Sequence, residues 1–224
     1  MLTQKLLKLQ TALQLKVPKA ELECVHLPMV PEIKLRLIAA DYPQLELTSE
    51  QVYELMDKPP YWAFCWASGQ VMARYLLDQP SLVAGETVVD FGSGSGVVAI
   101  AAALAGAKQS IAVDIDPNAL VASASNAELN ECHVGLCNDL AHLNIDQANS
   151  VILISDVFYD AENIPLLESF INSFKSVIIA DSRVTPSNLE GVYETARYAS
   201  CTIPDLDESR AFNSVGIYHS NVQK

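Results

Sequence analysis

Hydrophobic positions recur along this 224-residue chain in two rhythms, and the change between them divides it. Near the start, Leu2, Leu6, Leu9 and Leu13 fall at helical spacing, which predicts a helix over 2–16 that ends before Pro18. From Val17 to about Pro60 the pattern is broken by six prolines, with short strand-like or helical pieces at 33–38 and 49–56. A helix is expected over 68–77. From Thr87 onward, short apolar runs alternate with helical ones. Strands are expected at 87–91, 110–114, 133–138, 151–155 and 177–180, and helices at 97–105, 118–130, 164–174 and 189–198. Strands this short and apolar, each followed by a helix, belong to a parallel sheet covered on both faces. The chain closes with two further strands, 199–203 and 215–219, joined through an acidic loop without a helix. The expected architecture is therefore α/β and Rossmann-like: a seven-stranded, mostly parallel sheet ending in an antiparallel hairpin. Residues 1–60 form a helical N-terminal extension and 61–224 the main domain.

Composition narrows the function. Half of the residues are hydrophobic and 18% are charged, enough for a sizeable core. The 27 acids against 14 Lys and Arg leave a net charge of −13, which argues against a surface that grips nucleic-acid phosphates. No Lys or Arg occurs between Lys108 and Lys175, yet that stretch holds ten acids. Surface solubility accounts for most of them, and a field that favours a cationic substrate is the sharper reading. Five cysteines show no CxxC or zinc spacing and suit free thiols in a reducing compartment; no metal site is expected. The N-terminus lacks a signal-peptide core and no run of about 20 apolar residues spans a membrane, so the expectation is cytoplasmic.

The chemistry concentrates at strand ends. Asp90-Phe91-Gly92-Ser93-Gly94-Ser95-Gly96 follows the first strand of the alternating pattern. Its glycines let the backbone turn tightly and bring amides close to a ligand at a helix N-terminus. The spacing is GxGxG, not the GxGxxG of dinucleotide binders, and Asp90 suits a ligand ammonium better than a pyrophosphate. Asp114, about 20 residues on, is placed to accept hydrogen bonds from both hydroxyls of a ribose. Asp116, with Pro117 behind it, suits a helix cap. Asn138 and Asp139 suit either an adenine amino group or another cap. Parallel α/β sheets bind ligands outside the carboxyl ends of their strands, where all these groups fall.

These residues resemble the class I, seven-stranded S-adenosylmethionine (SAM)-dependent methyltransferases over about 60–220. Three segments are similar to the group that methylates lysine in the electron transfer flavoprotein beta subunit. They are Tyr61-Trp62-Ala63-Phe64-Cys65-Trp66-Ala67-Ser68-Gly69-Gln70, Pro31-Glu32-Ile33-Lys34-Leu35-Arg36-Leu37 and Asp156-Val157-Phe158-Tyr159-Asp160. Where that group has Trp-Pro-Gly-Gly, this chain has Trp66-Ala67-Ser68-Gly69. The resemblance implies SAM as cofactor, held by Trp66, Asp90, Gly92, Ser93, Gly94, Gly96, Asp114, Ile115, Asn138, Asp139 and Ser155. Asp156 and Tyr159 fit the acid-x-x-Tyr/Phe motif and would be catalytic, with Phe158 and Asp160 facing the substrate. The implied reaction is N-methylation of a protein lysine, possible partners including the electron transfer flavoprotein beta subunit. A small-molecule amine or heterocycle N-methyltransferase, of the nicotinamide type, and a SAM-binding module without turnover are the alternatives. The four histidines show no ligand spacing, and no histidine base is expected.

Overall fold

The computed structural model describes residues 4–42, 48, 49, 52, 55, 59–158, 161–184, 190–206 and 210–220. The extension opens with α1 (Gln4–Lys16), whose Leu9 and Leu13 are buried, as the leucine spacing predicts. It continues as a hairpin: the piece expected at 33–38 is β2 (Lys34–Ile38), and it pairs antiparallel with β1 (Leu22–His26), a strand the proline-broken pattern did not show. The piece expected at 49–56 lies almost wholly outside the described residues.

The main unit runs α2 (Ala67–Asp78), β3 (Thr87–Phe91), α3 (Val97–Leu104), β4 (Gln109–Val113), α4 (Pro117–Leu129) and β5 (Gly135–Cys137). Then come β6 (Ser150–Ser155), α5 (Ile164–Ser173), β7 (Ser176–Asp181), β8 (Val192–Ala199) and β9 (Ser214–Ser220). The sheet order is β5-β4-β3-β6-β7-β9-β8. The first five are parallel neighbours, while β9 pairs antiparallel with both β7 and β8.

Residue alternation assigns the strands to two cores. Val88, Ala112, Val151, Leu153, Ile178 and Ala180 pack with α2 and α3. Val89, Ile111, Ile152, Ile154, Val177 and Ile179 face the other way, against Leu167 and Phe170 of α5. β3, β4, β6 and β7 are thus buried on both sides, which explains their nearly unbroken apolar sequences.

One expectation fails. Residues 189–198 were expected as a helix, yet Val192–Ala199 forms the edge strand of the sheet. Val192, Tyr193, Thr195 and Tyr198 are β-branched or aromatic and favour a strand once a partner edge is available. That partner, β9, lies some 20 residues later, beyond the reach of local periodicity. Of residues 199–203, expected as the hairpin strand, Ala199 ends β8 and Ile203 makes a bridge in which it and Cys65 exchange backbone hydrogen bonds of 2.8 Å.

The extension is docked on α4. Asn126 and Asn130 accept the amides of Arg36 and Lys34, and the Arg36 guanidinium reaches the Ser125 carbonyl. Trp62 is buried in the same small core as Leu9 and Leu13.

Candidate functional site

The carboxyl ends of β3 and β6 open onto one cleft, lined by Trp66, Gly69, Asp90, Gly92, Ser93, Gly94, Ser95, Val97, Val98 and Ser155. The loop that forms its floor turns through left-handed conformations at Gly92, Gly94 and Gly96. At Gly96 a Cβ would lie 2.7 Å from the Ser123 backbone, so only glycine lets the loop meet α4. Above Gly94, by contrast, a Cβ would meet nothing within 4 Å, so the cleft is open there.

Acids fasten this loop. Asp90 is buried, and its Oδ2 accepts the amide of Ala99 at 3.0 Å in the first turn of α3. Burial, with the nearby charge of Asp114 adding to it, raises the Asp90 carboxyl to about 7. Asp114 accepts the amides of Gly94 at 2.8 Å and Asp116 at 2.9 Å, and burial raises its pKa. Asp116 caps α4 by accepting the Asn118 amide at 2.8 Å. Ile115, between them, is 92% exposed, an apolar side chain standing free next to the acid.

Asp156 ends β6 in a left-handed backbone conformation (φ 51°), a strain that persists only where its surroundings hold it. Its Oδ1 accepts the Ser68 hydroxyl at 2.6 Å and its Oδ2 the Ser68 amide at 3.2 Å. Burial is the main cause that raises this carboxyl to about 7, with the charge of Asp181 second. Asp181, fully buried at the end of β7, accepts the amides of Arg183 and Val184 through Oδ1.

The sequence-predicted residues separate into groups. Trp66, Asp90, Gly92, Ser93, Gly94 and Ser155 line one cleft, with Gly96 and Asp114 supporting its loop. The Trp66 indole N–H donates to the Tyr61 carbonyl at 3.1 Å, which fixes the ring. Asn138 and Asp139 are exposed, and Asp139 caps the turn after β5 by accepting the Ala141 amide. Phe158 requires a correction: it is 1% exposed and packed in the α5-side core, so it cannot face a substrate. Tyr159 and Asp160 lie outside the described residues. Ser68 was missed, because nothing in its local sequence points to an acid 88 residues away. Among the described residues no group of His, Cys, Asp and Glu could hold a metal, and the five cysteines are free thiols.

The solved structure of magnesium protoporphyrin IX methyltransferase from Synechocystis PCC 6803 with bound SAM superposes with a TM-score of 0.53 at 15% identity. It covers 68% of this chain and 79% of that one. The chain has the class I SAM-dependent methyltransferase fold. The family model for ribosomal protein L11 methyltransferase (PrmA) matches residues 71–176 of this methyltransferase fold. Sequence similarity is stronger elsewhere. The human electron transfer flavoprotein beta subunit lysine methyltransferase is 40% identical over 136 residues, 60% of this chain and 50% of that protein. The Caenorhabditis elegans homologue is 33% identical over 162 residues, 66% of this chain and 65% of that one. The chain thus spans about half the length of the human relative.

Proposed function

We propose that this chain is a SAM-dependent protein-lysine N-methyltransferase acting on the electron transfer flavoprotein beta subunit. The observation that supports it most is the 40% identity to the human lysine methyltransferase of that name. On this reading residues 61–224 are the methyltransferase unit and 1–60 an extension braced against α4.

The residues present fit SAM on their own chemistry. Ser155 contributes a buried hydroxyl without a hydrogen-bond partner, in the cleft. Beside it are open space above Gly94, the acids Asp90 and Asp114, and the exposed apolar Ile115. A ligand with an ammonium, a sugar and a flat ring would use all of these. SAM, when bound, supplies a methyl group on a sulfonium, open to in-line displacement.

The protein's own part is alignment and proton handling. A lysine amine has an ordinary pKa near 10.4 and must lose a proton to become a nucleophile. Asp156 serves as its acceptor. With its carboxyl near 7, it is largely ionised in mildly alkaline solution and binds an ammonium while it can still take up a proton. The acid-rich span around it suits a cationic target, and the net charge of −13 disfavours nucleic acid. The free thiols suit the cytoplasm, and no helix among the described residues is long and apolar enough to cross a membrane.

The test supplies labelled SAM with purified electron transfer flavoprotein beta subunit, ribosomal protein L11, and small amines including nicotinamide. Label that mass spectrometry maps to lysine of the flavoprotein subunit is expected. Label in L11 alone, in small solutes alone, or SAM binding without transfer would each overturn the reading.

A further inference from the structure

Ser68 lies in the first turn of α2, fully buried, and spends both of its donors on one carboxylate. The hydroxyl bond of 2.6 Å is short for an O–H···O bond and lies within the range of charge-assisted ones. The amide bond of 3.2 Å comes from a helix N-terminus, where a negative charge is also favoured. Resting on the lysine methyltransferase reading, we infer that Ser68 is a positioning residue for the reaction. It holds Asp156 charged and aimed at the incoming amine, and so sets the pH at which the enzyme turns on.

The groups around Asp156 make its ionisation a balance. Asp181 of β7 opposes the charge, and Arg183 in the following turn favours it. Cys65, just ahead of α2, is a thiol whose ionisation is resisted first by its burial and then by the charge of Asp156, so it brings no charge. Ser68 favours the carboxylate and bonds it directly through two donors. Without its hydroxyl, burial and Asp181 are opposed by the remaining Ser68 amide bond and the charge of Arg183. The two bonds also fix the geometry: with one donor on each carboxylate oxygen, Ser68 holds the Asp156 side chain in one direction.

The experiment is the pH profile of kcat/KM for the full chain, with electron transfer flavoprotein beta subunit as substrate, for wild type, Ser68→Ala and Asp181→Asn. Losing one charge-assisted hydrogen bond should lower kcat/KM about fivefold at pH 7, with the deficit vanishing by about pH 9. Asp181→Asn keeps an amide acceptor at that position but removes the opposing charge, and its acidic limb should move the other way. SAM binding, measured separately, should stay at the wild-type level in both, which also reports that they fold. A Ser68→Ala deficit equal at every pH, or a profile that matches wild type, would overturn the inference. Wild-type protein that transfers no methyl to the subunit would instead overturn the functional reading on which it rests.

Discussion

At the ends of β3 and β4, the acids Asp90 and Asp114 bond to amides 9 and 20 residues away, Asp90 within its own strand–loop–helix unit and Asp114 in the neighbouring one. At the end of β6, Asp156 bonds to a serine 88 residues earlier, in a helix that precedes the whole parallel sheet. Burial raises all three carboxyls, so chemistry alone does not separate them. The separation is in what each holds. The first two shape a loop and would keep it in place whether or not catalysis occurred. Asp156 ties α2 and Trp66, on one wall of the cleft, to the sheet on the other. A local acid builds the floor of the cleft, and a long-range acid joins an earlier helix to the sheet.

The strongest way to break this contrast is at the floor. Gly96→Ala would place a Cβ 2.7 Å from the Ser123 backbone, in a loop whose φ of +81° already disfavours side chains. A left-handed alanine costs roughly 1–2 kcal/mol and overpacking roughly 1–3 more. A drop of about 2–5 kcal/mol is therefore expected in urea unfolding, together with loss of SAM binding by calorimetry. Normal SAM affinity with unchanged stability would show that the loop–helix contact is not the anchor that it looks.

The contrast also explains how much of the molecule its sequence discloses. Thr87–Phe91, the glycine loop, Asp114 and the cap at Asp116 are legible because their partners are near in sequence and their glycines and acids sit at fixed offsets. The β1–β2 hairpin and β8 are not legible, since each half is only a short run without a strong period until its partner arrives. Val192–Ala199 even scans as a helix. Phe158 and Ser68 fail for a related reason. A motif names which residues lie near a site, but the packing of α5 and α2 decides that Phe158 turns into the core and Ser68 into the cleft wall.

A moderate effect is expected from pH. Asp90 has its pKa raised from 3.8 to about 7 in the folded state, so between those values the native protein binds more protons than the unfolded chain. Stability therefore falls as pH rises from about 4 to about 7, by the linkage of proton binding to folding. Asp90→Asn keeps an oxygen for the Ala99 amide and removes the titration. Thermal melts across this range should show a flatter decline for the variant. An equal slope in both would show that other groups set the pH dependence.

The smallest effect belongs to the far edge of the sheet, where an exposed arginine of β8 reaches a buried tyrosine of β9. Arg197 pairs with Glu194 at 2.8 Å and donates to the Tyr218 hydroxyl at 3.1 Å. The ion pair is open to solvent on both sides, so screening and side-chain entropy leave it worth about 0–1 kcal/mol. Tyr218 keeps a second partner, donating its hydroxyl to the Val184 carbonyl at 3.3 Å. Arg197→Ala should then cost about 1 kcal/mol, a fall of roughly 2–4 °C in Tm for a chain of this size. SAM affinity should not change, because Arg197 does not line the cleft. A loss beyond about 3 kcal/mol, or weakened SAM binding, would mean that the hairpin braces the site through Tyr218. The edge would then act at long range as Asp156 does, not as a separate cover for β7.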